Sequence, residues 1–366
     1  MDTAPKNDMI YRFLGKTGIK VSCLGFGNWV NSEVYSPEME EITYQCMKKC
    51  YDAGINFFDT AELYGNGTAE KVFGNCLKKM NLSRKDYVLS TKLIRCGNGV
   101  NDCMLSRKHI IEGLTESLKR LQVEYVDIVF AHRYDQETPI EEVCRAFNWL
   151  IEHGKAFYWG TSEWTSQEIM EAMECCERHN LIKPIVEQPE YNLFIRKNVE
   201  VDLEPIFDKC GYGSTIWSPL AGGLLTGKYN KGDPKDSRYS SKLPGFSDWI
   251  KSRYVQNDPE KCFGKIKAFC DFAETLKVTP AQLALAWVVK NRDVSVCLFG
   301  ASKPEQVDDN LKCLKLVKGW TQEIEKKLEE IFGSKPETLL NWRTWKPIQP
   351  RREKTVKYDG DAEFKN

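Results

Sequence analysis

The feature that most limits what this chain can become is an alternation repeated along most of its length. Short runs of β-branched and aromatic residues are separated by longer stretches with helical apolar spacing. Eight such runs stand out: 21–27, 55–59, 87–92, 125–132, 156–162, 184–188, 213–217 and 294–300. Helix openings fall between them. Ser36-Pro37-Glu38 offers a cap, an N1 proline and a first-turn acid; Thr68, Ser106 and Thr138-Pro139 open further helices. Thr165-Ser-Gln-Glu168 is a capping box, and Lys303-Pro304-Glu305 opens one more helix. Strands separated by helices imply a parallel sheet, and eight of them favour closure into a barrel. The rival is an open, doubly wound sheet, which would announce itself with G-x-G-x-x-G after the first strand. Gly25-Phe26-Gly27 is instead followed by Asn28-Trp29-Val30, with no third glycine.

The expected fold is therefore α/β, a single (β/α)8 TIM barrel over residues 10–340. A short segment, 1–9, precedes it and a charged tail, 341–366, follows. The loop after the seventh strand, from Ala221 to about Asp248, is long and rich in Gly, Pro, Ser and Lys. Long loops of that kind serve as lids, and this one is expected to close over a cofactor.

Charge and composition remove several function classes. Lys+Arg and Asp+Glu are both 52, so no basic field invites nucleic acid. The N-terminus lacks an apolar signal segment, and no run approaches the roughly 18 apolar residues of a membrane span. Fourteen cysteines form no CxxC and no zinc spacing. Pairs such as Cys46/Cys50 and Cys175/Cys176 sit inside helical patterns, where a reduced thiol is a small apolar group. These readings predict a cytoplasmic globule with no nucleic-acid partner, no direct membrane insertion and no metal.

In a barrel of this kind, chemistry gathers at the carboxyl ends of the strands. Those ends read Asn28-Trp29, Asp59 with Tyr64, Lys92, His132, Ser162, Gln188, Trp217-Ser218, and Gly300 with Ser302. An ammonium at Lys92, held by Asp59, would lower the pKa of the Tyr64 phenol and make it a better acid. A neutral His132 could donate a hydrogen bond to a carbonyl oxygen and orient it. That set suits hydride transfer to an aldehyde or ketone with proton donation from Tyr64. A metal hydrolase fits poorly, because His109, His153 and His179 fall on helices; no G-x-S-x-G elbow is present either. Hydride needs a donor, and a nicotinamide is the economical choice. The turn Gly300-Ala301-Ser302-Lys303 suits phosphate, and Lys228 and Arg238 add positive charge, which favours NADP(H) over NAD.

Asp59, Tyr64, Lys92 and His132 resemble, in order and spacing, the catalytic tetrad of the aldo-keto reductase superfamily. Leu24-Gly-Phe-Gly-Asn-Trp29, Phe58-Asp-Thr-Ala-Glu62, Ser106-Arg-Lys-His-Ile-Ile-Glu-Gly113 and Tyr158-Trp-Gly-Thr-Ser162 narrow the likeness. With Trp217-Ser-Pro-Leu-Ala221 and Gly227-Lys-Tyr229, they resemble the β-subunits of voltage-gated potassium channels, over about residues 10–335. The resemblance implies that Asn28, Trp29 and Asp59 approach the nicotinamide, that Ser162 and Gln188 bond its carboxamide, and that Trp217 stacks on the ring. It implies that Ser218, Leu220, Lys228, Arg238, Ser302, Gln306, Asp309 and Asn310 hold the pyrophosphate and adenosine end of NADP. Pro219, Ala221 and Gly300 belong to the same turns. It also implies a homotetramer able to dock beneath the cytoplasmic domain of a potassium channel. His132 and Glu163 stand where animal β-subunits carry Asn and a basic residue, and the pattern is closer to plant and microbial members. Asp309 replaces a more usual Glu. Only nine or so residues precede the barrel, too few for a pore-plugging segment, so catalysis is expected ahead of channel regulation.

Overall fold

Side-chain alternation along parallel strands decides which groups face a barrel axis. The computed structural model describes residues 8–29, 35–230, 246–255 and 258–337. A two-stranded antiparallel hairpin, β1 (Tyr11–Phe13) and β2 (Lys20–Ser22), comes first. Eight parallel strands then close into a barrel: β3 (Leu24–Gly27), β4 (Phe57–Asp59), β5 (Val88–Leu93), β6 (Val126–Ala131), β7 (Ala156–Thr161), β8 (Val186–Glu187), β9 (Gly213–Ile216) and β10 (Val296–Phe299). Their spatial order is β10-β3-β4-β5-β6-β7-β8-β9. The chain divides into a compact unit, Met1–Lys335, and a second, Pro336–Asn366, of which only the first two residues are described.

All eight expected barrel strands are present, and the first differs in kind. The run 21–27 splits at Cys23: Lys20–Ser22 pairs with Tyr11–Phe13 in the hairpin, and only Leu24–Gly27 joins the barrel. The reason lies at Ser22, whose hydroxyl donates to Leu24 O at 2.6 Å and turns the chain between two sheets. Leu14 and Val21 of the hairpin pack into the barrel interior with Phe57, Val88, Ile128 and Phe130, so the hairpin plugs the amino-terminal mouth. At Gly15 the chain has φ +56 and passes so close to β9 that a Cβ would lie 2.6 Å from Gly213 N.

The helices α1 (Pro37–Asp52), α2 (Thr68–Met80), α3 (Arg107–Leu121), α4 (Ile140–Glu152), α5 (Ser166–Arg178) and α6 (Glu204–Cys210) follow successive strands. After them come α7 (Phe246–Ile250), α8 (Pro259–Thr275), α9 (Pro280–Lys290), α10 (Pro304–Leu311), α11 (Cys313–Lys318) and α12 (Gln322–Phe332). Ser36 and Ser106 cap α1 and α3 by accepting from Met39 N and His109 N. The capping box Thr165/Glu168 opens α5, and Thr279/Gln282 opens α9 in the same way. Such caps contribute about 1 kcal/mol each.

Outward-facing strand residues, such as Phe58, Leu89, Val129 and Cys297, pack under these helices in one continuous core. Inward-facing residues change character along each strand. β4 runs from Phe57 to Asp59, and β5 from Val88 through Ser90 to Lys92; along β6, Ile128 and Phe130 lead to His132. The amino half of the barrel is thus apolar and its carboxyl rim ionisable. All fourteen cysteines are free thiols.

Glu187, on β8, is wholly buried; it accepts bonds from Thr161 Oγ1 and from Trp164 N at 3.2 Å. Burial pushes its carboxyl up to about 8, from an ordinary 4.5. Its pKa is raised in the folded state, so protonation favours folding. That contribution is complete below about pH 4.5 and is lost as pH rises through about 8. Thermal melts of wild type and Glu187→Gln between pH 5 and 8 test this. The variant's Tm should gain on the wild type as pH rises, and parallel pH profiles would refute the assignment.

Candidate active site

β4 and β5 deliver the central pair. Asp59 ends β4 and Lys92 lies one residue from the end of β5, both pointing inward. Register pairs Asp59 with Ser90 and Lys92 with Phe130. Lys92 Nζ donates to Asp59 Oδ2 at 2.5 Å and to Thr60 O at 2.7 Å, with its side chain fully buried. Asp59 Oδ1 accepts from Ser90 Oγ at 2.6 Å and Gln188 Nε2 at 3.3 Å, and Gln188 also donates to Thr215 Oγ1 at 3.1 Å. Burial is the largest influence on Lys92 and opposes its charge. Asp59 and Tyr64 outweigh it, and its pKa stands above the ordinary value, so an ammonium is present.

Tyr64 comes from the loop after β4. Its ring lies 4.8 Å from Lys92 Nζ, 5.8 Å from the His132 ring and 6.2 Å from Trp29. Acid, ammonium, phenol and imidazole thus meet at one point of the rim. The acidity of the phenol departs from expectation. Burial is the largest influence and raises its pKa above 10; Lys92 and Arg133 pull it down without prevailing. Tyr64 is therefore a protonated phenol with an ammonium alongside. His132 is held well below its ordinary pKa by burial, then by Lys92 and Arg133. It is neutral, and its Nδ1 is buried without a hydrogen-bond partner.

A cavity of about 560 Å³ opens beside this cluster. Asp59, Tyr64, Trp29, Gln188, Trp217, Ser218, Pro219 and Leu220 line one part of it. Lys228, Gly300, Ser302, Gln306, Asp309 and Asn310 line the rest. Its size is that of a cofactor or drug-sized ligand site. Lys92 and His132 are buried beside the lining residues. Asn28, Ser162 and Ala221 are buried as well. Asn28 Nδ2 donates to Ala69 O at 2.7 Å, while its Oδ1 has no partner. Ser162 Oγ donates to Gln188 O at 2.9 Å. Asp309 accepts from Thr279 Oγ1 at 2.8 Å and Gln282 Nε2 at 2.7 Å, which ties it to the start of α9. Gln306 Oε1 accepts from Ser302 N at 2.8 Å. Lys228 Nζ sits 4.9 Å from the Tyr229 ring. Arg238 lies outside the described residues.

Several groups that shape the site carry no local sequence signal for that role. Glu62 is fully buried; its Oε1 accepts from Ile94 N at 2.6 Å and meets His109 Nε2 at 2.8 Å, while its N–H donates to Lys92 O at 3.2 Å. It clamps the Tyr64 loop to β5 and α3. Glu163, at φ 57, accepts from Trp217 Nε1 at 2.9 Å and Glu190 N at 2.6 Å. Ser218 (φ 54) and Ala221 (φ 49) adopt the left-handed region that non-glycine residues avoid. Strained backbone of this kind collects at ligand clamps. Beyond the loop, Trp249 stacks on Trp217 at 6.1 Å. Arg253 then donates twice to Glu190 Oε2, at 2.6 and 2.9 Å, and Tyr254 OH donates to Glu190 Oε1.

A closed (β/α)8 barrel with phenol, ammonium, carboxylate and imidazole gathered at its carboxyl rim has the form of a barrel oxidoreductase. Residues 23–329 match the model of the aldo/keto reductase family, and the chain belongs to that family. It is also 45% identical, over 92% of its length, to a probable voltage-gated potassium channel subunit beta of Oryza sativa subsp. japonica, whose whole length is covered. The same values hold for a probable voltage-gated potassium channel subunit beta of Arabidopsis thaliana. A putative subunit of the same kind from Schizosaccharomyces pombe is 45% identical, over 91% of this chain and 95% of its own.

Glu190 is 1% exposed and is the common acceptor for Arg253, Tyr254 and Asn192. Replacing it with Gln leaves Arg253 without its carboxylate, at about 1–3 kcal/mol. Amide hydrogen exchange across Trp249–Val255 should quicken in Glu190→Gln while β5 and β6 stay protected; unchanged exchange in that segment would contradict the anchoring role.

Proposed function

We propose that the protein is an NADPH-dependent reductase of aldehydes and ketones in which Tyr64 is the proton donor. The observation that carries this reading is the contact of a buried, paired Lys92 ammonium with the protonated phenol of Tyr64. NADPH, when bound, supplies the hydride. The cavity fits a dinucleotide in size, and the partnerless Asn28 Oδ1 and His132 Nδ1 beside it are polar atoms of the kind a ligand satisfies. Trp217, Gln188 and Ser162 would hold the nicotinamide; Lys228, Ser302, Gln306 and Asn310 would hold the phosphate-bearing end.

The chain's own part follows from charge. A carbonyl oxygen beside Tyr64 gains negative charge as its carbon is reduced, and the phenol proton passes to that oxygen to give the alcohol. The tyrosinate left behind is stabilised by Lys92, which Asp59 and Thr60 O keep fixed and charged. Neutral His132 orients the carbonyl without competing as an acid at neutral pH, since its own pKa is depressed. The names of the relatives support a second reading, in which the barrel is an auxiliary subunit of a potassium channel, assembles as a homotetramer and turns over slowly. Among the described residues, no helix is long and apolar enough to cross a membrane, so such a subunit would work by docking.

Incubation with NADPH and 4-nitrobenzaldehyde, following NADPH absorbance, tests both readings. Multiple turnovers, reduced about 100- to 10,000-fold in Tyr64→Phe, are expected. Tight NADPH binding with a single turnover would favour the channel reading, and no binding of NADPH would end both.

A further inference from the structure

One cation at the rim is not used by the arrangement above. Arg133 follows His132 directly, and its Nη1 donates to His132 O and, at 3.3 Å, to Ser162 Oγ. The guanidinium is thus folded back over the two strand ends that flank the reacting position. Among the described residues, no carboxylate pairs with it. The acids on neighbouring elements are committed elsewhere. Asp59 is taken by Lys92 and Ser90, and Asp135 by Leu105 N, Glu137 N and Thr138 Oγ1. Glu163 is taken by Trp217 Nε1 and Glu190 N.

Lys92 and Asp59 are paired with each other and His132 is neutral, while the Glu163 carboxylate is turned to Trp217 Nε1 and Glu190 N and not to Arg133. The field of Arg133 reaches the reacting groups, since it disfavours a proton on His132 and favours tyrosinate at Tyr64. An arginine fork that spends one nitrogen on its own backbone keeps other N–H groups for a planar anion.

We propose that Arg133 is a specificity-determining residue that selects carbonyl substrates carrying a carboxylate, which it binds while the carbonyl lies against Tyr64. The proposal rests on the reductase reading and deepens it. The residue contributes to binding more than to the chemical step, because the anion it holds does not change charge during reduction.

The test uses 4-oxobutanoate and its methyl ester, a flexible pair that differs in charge at one end. With the full chain and NADPH, kcat/KM for the acid should exceed that for the ester by about 10-fold, the value of a partly exposed charge-assisted bond. In Arg133→Gln the ratio should fall to near 1, chiefly through KM for the acid, and Arg133→Lys should restore part of it. A shared effect of substitution on folding cancels in the ratio. Added salt should shrink the wild-type ratio as it screens the pair. An acid-to-ester ratio that is the same in wild type and Arg133→Gln, with both substrates turned over, would overturn the role of Arg133 alone. Failure of the wild type to turn over either compound or 4-nitrobenzaldehyde would overturn the reductase reading, and this proposal with it.

Discussion

A buried ammonium constrains this structure more than any other group. Taking Lys92 out of water costs several kcal/mol, which only close, well-aligned acceptors offset. Those acceptors, Asp59 Oδ2 and Thr60 O, lie at the end of β4, so the register of β4 against β5 cannot slip without leaving a charge unpaired. Asp59 in turn needs its second oxygen satisfied, and Ser90 from β5 and Gln188 from beyond β8 supply the bonds. Gln188 reaches on to Thr215 of β9. The polar rim is one connected network spanning half the barrel, and removing one partner would disturb all of it.

Around that network, glutamate side chains do the same task repeatedly. Glu62, Glu163, Glu187 and Glu190 each accept from the backbone or side chains of a neighbouring loop. Loops carry unpaired N–H groups, and an acid that accepts from them ties one loop to its neighbour. Glu62 stands between Asp59 and Tyr64, so the same clamp that satisfies Ile94 N also sets where the phenol sits.

Much of this is legible in the sequence. Phe57, Val88, Ile128 and Phe130 alternate with outward residues, and continuing that period two places Asp59, Lys92 and His132 inside the rim. Less legible was Tyr64, whose position depends on a loop, and whose acidity turned on burial outweighing Lys92. The split of the first strand at Cys23 was hidden because Lys20–Ser22 and Leu24–Gly27 have the same local pattern and differ only in what they pair with.

The sequence by itself determined the number of barrel strands, the helix starts at Ser36, Ser106 and Thr165, and the set of ionisable residues at the strand ends. These follow from periodicity and capping, which are properties of neighbours along the chain. Only the tertiary structure decided that Tyr64 stays protonated, that Arg253 and Trp249 fold back onto Glu190 and Trp217, and that Arg133 has no acid paired with it among the described residues. Those outcomes depend on burial and on partners dozens of residues away, and no local spacing encodes either.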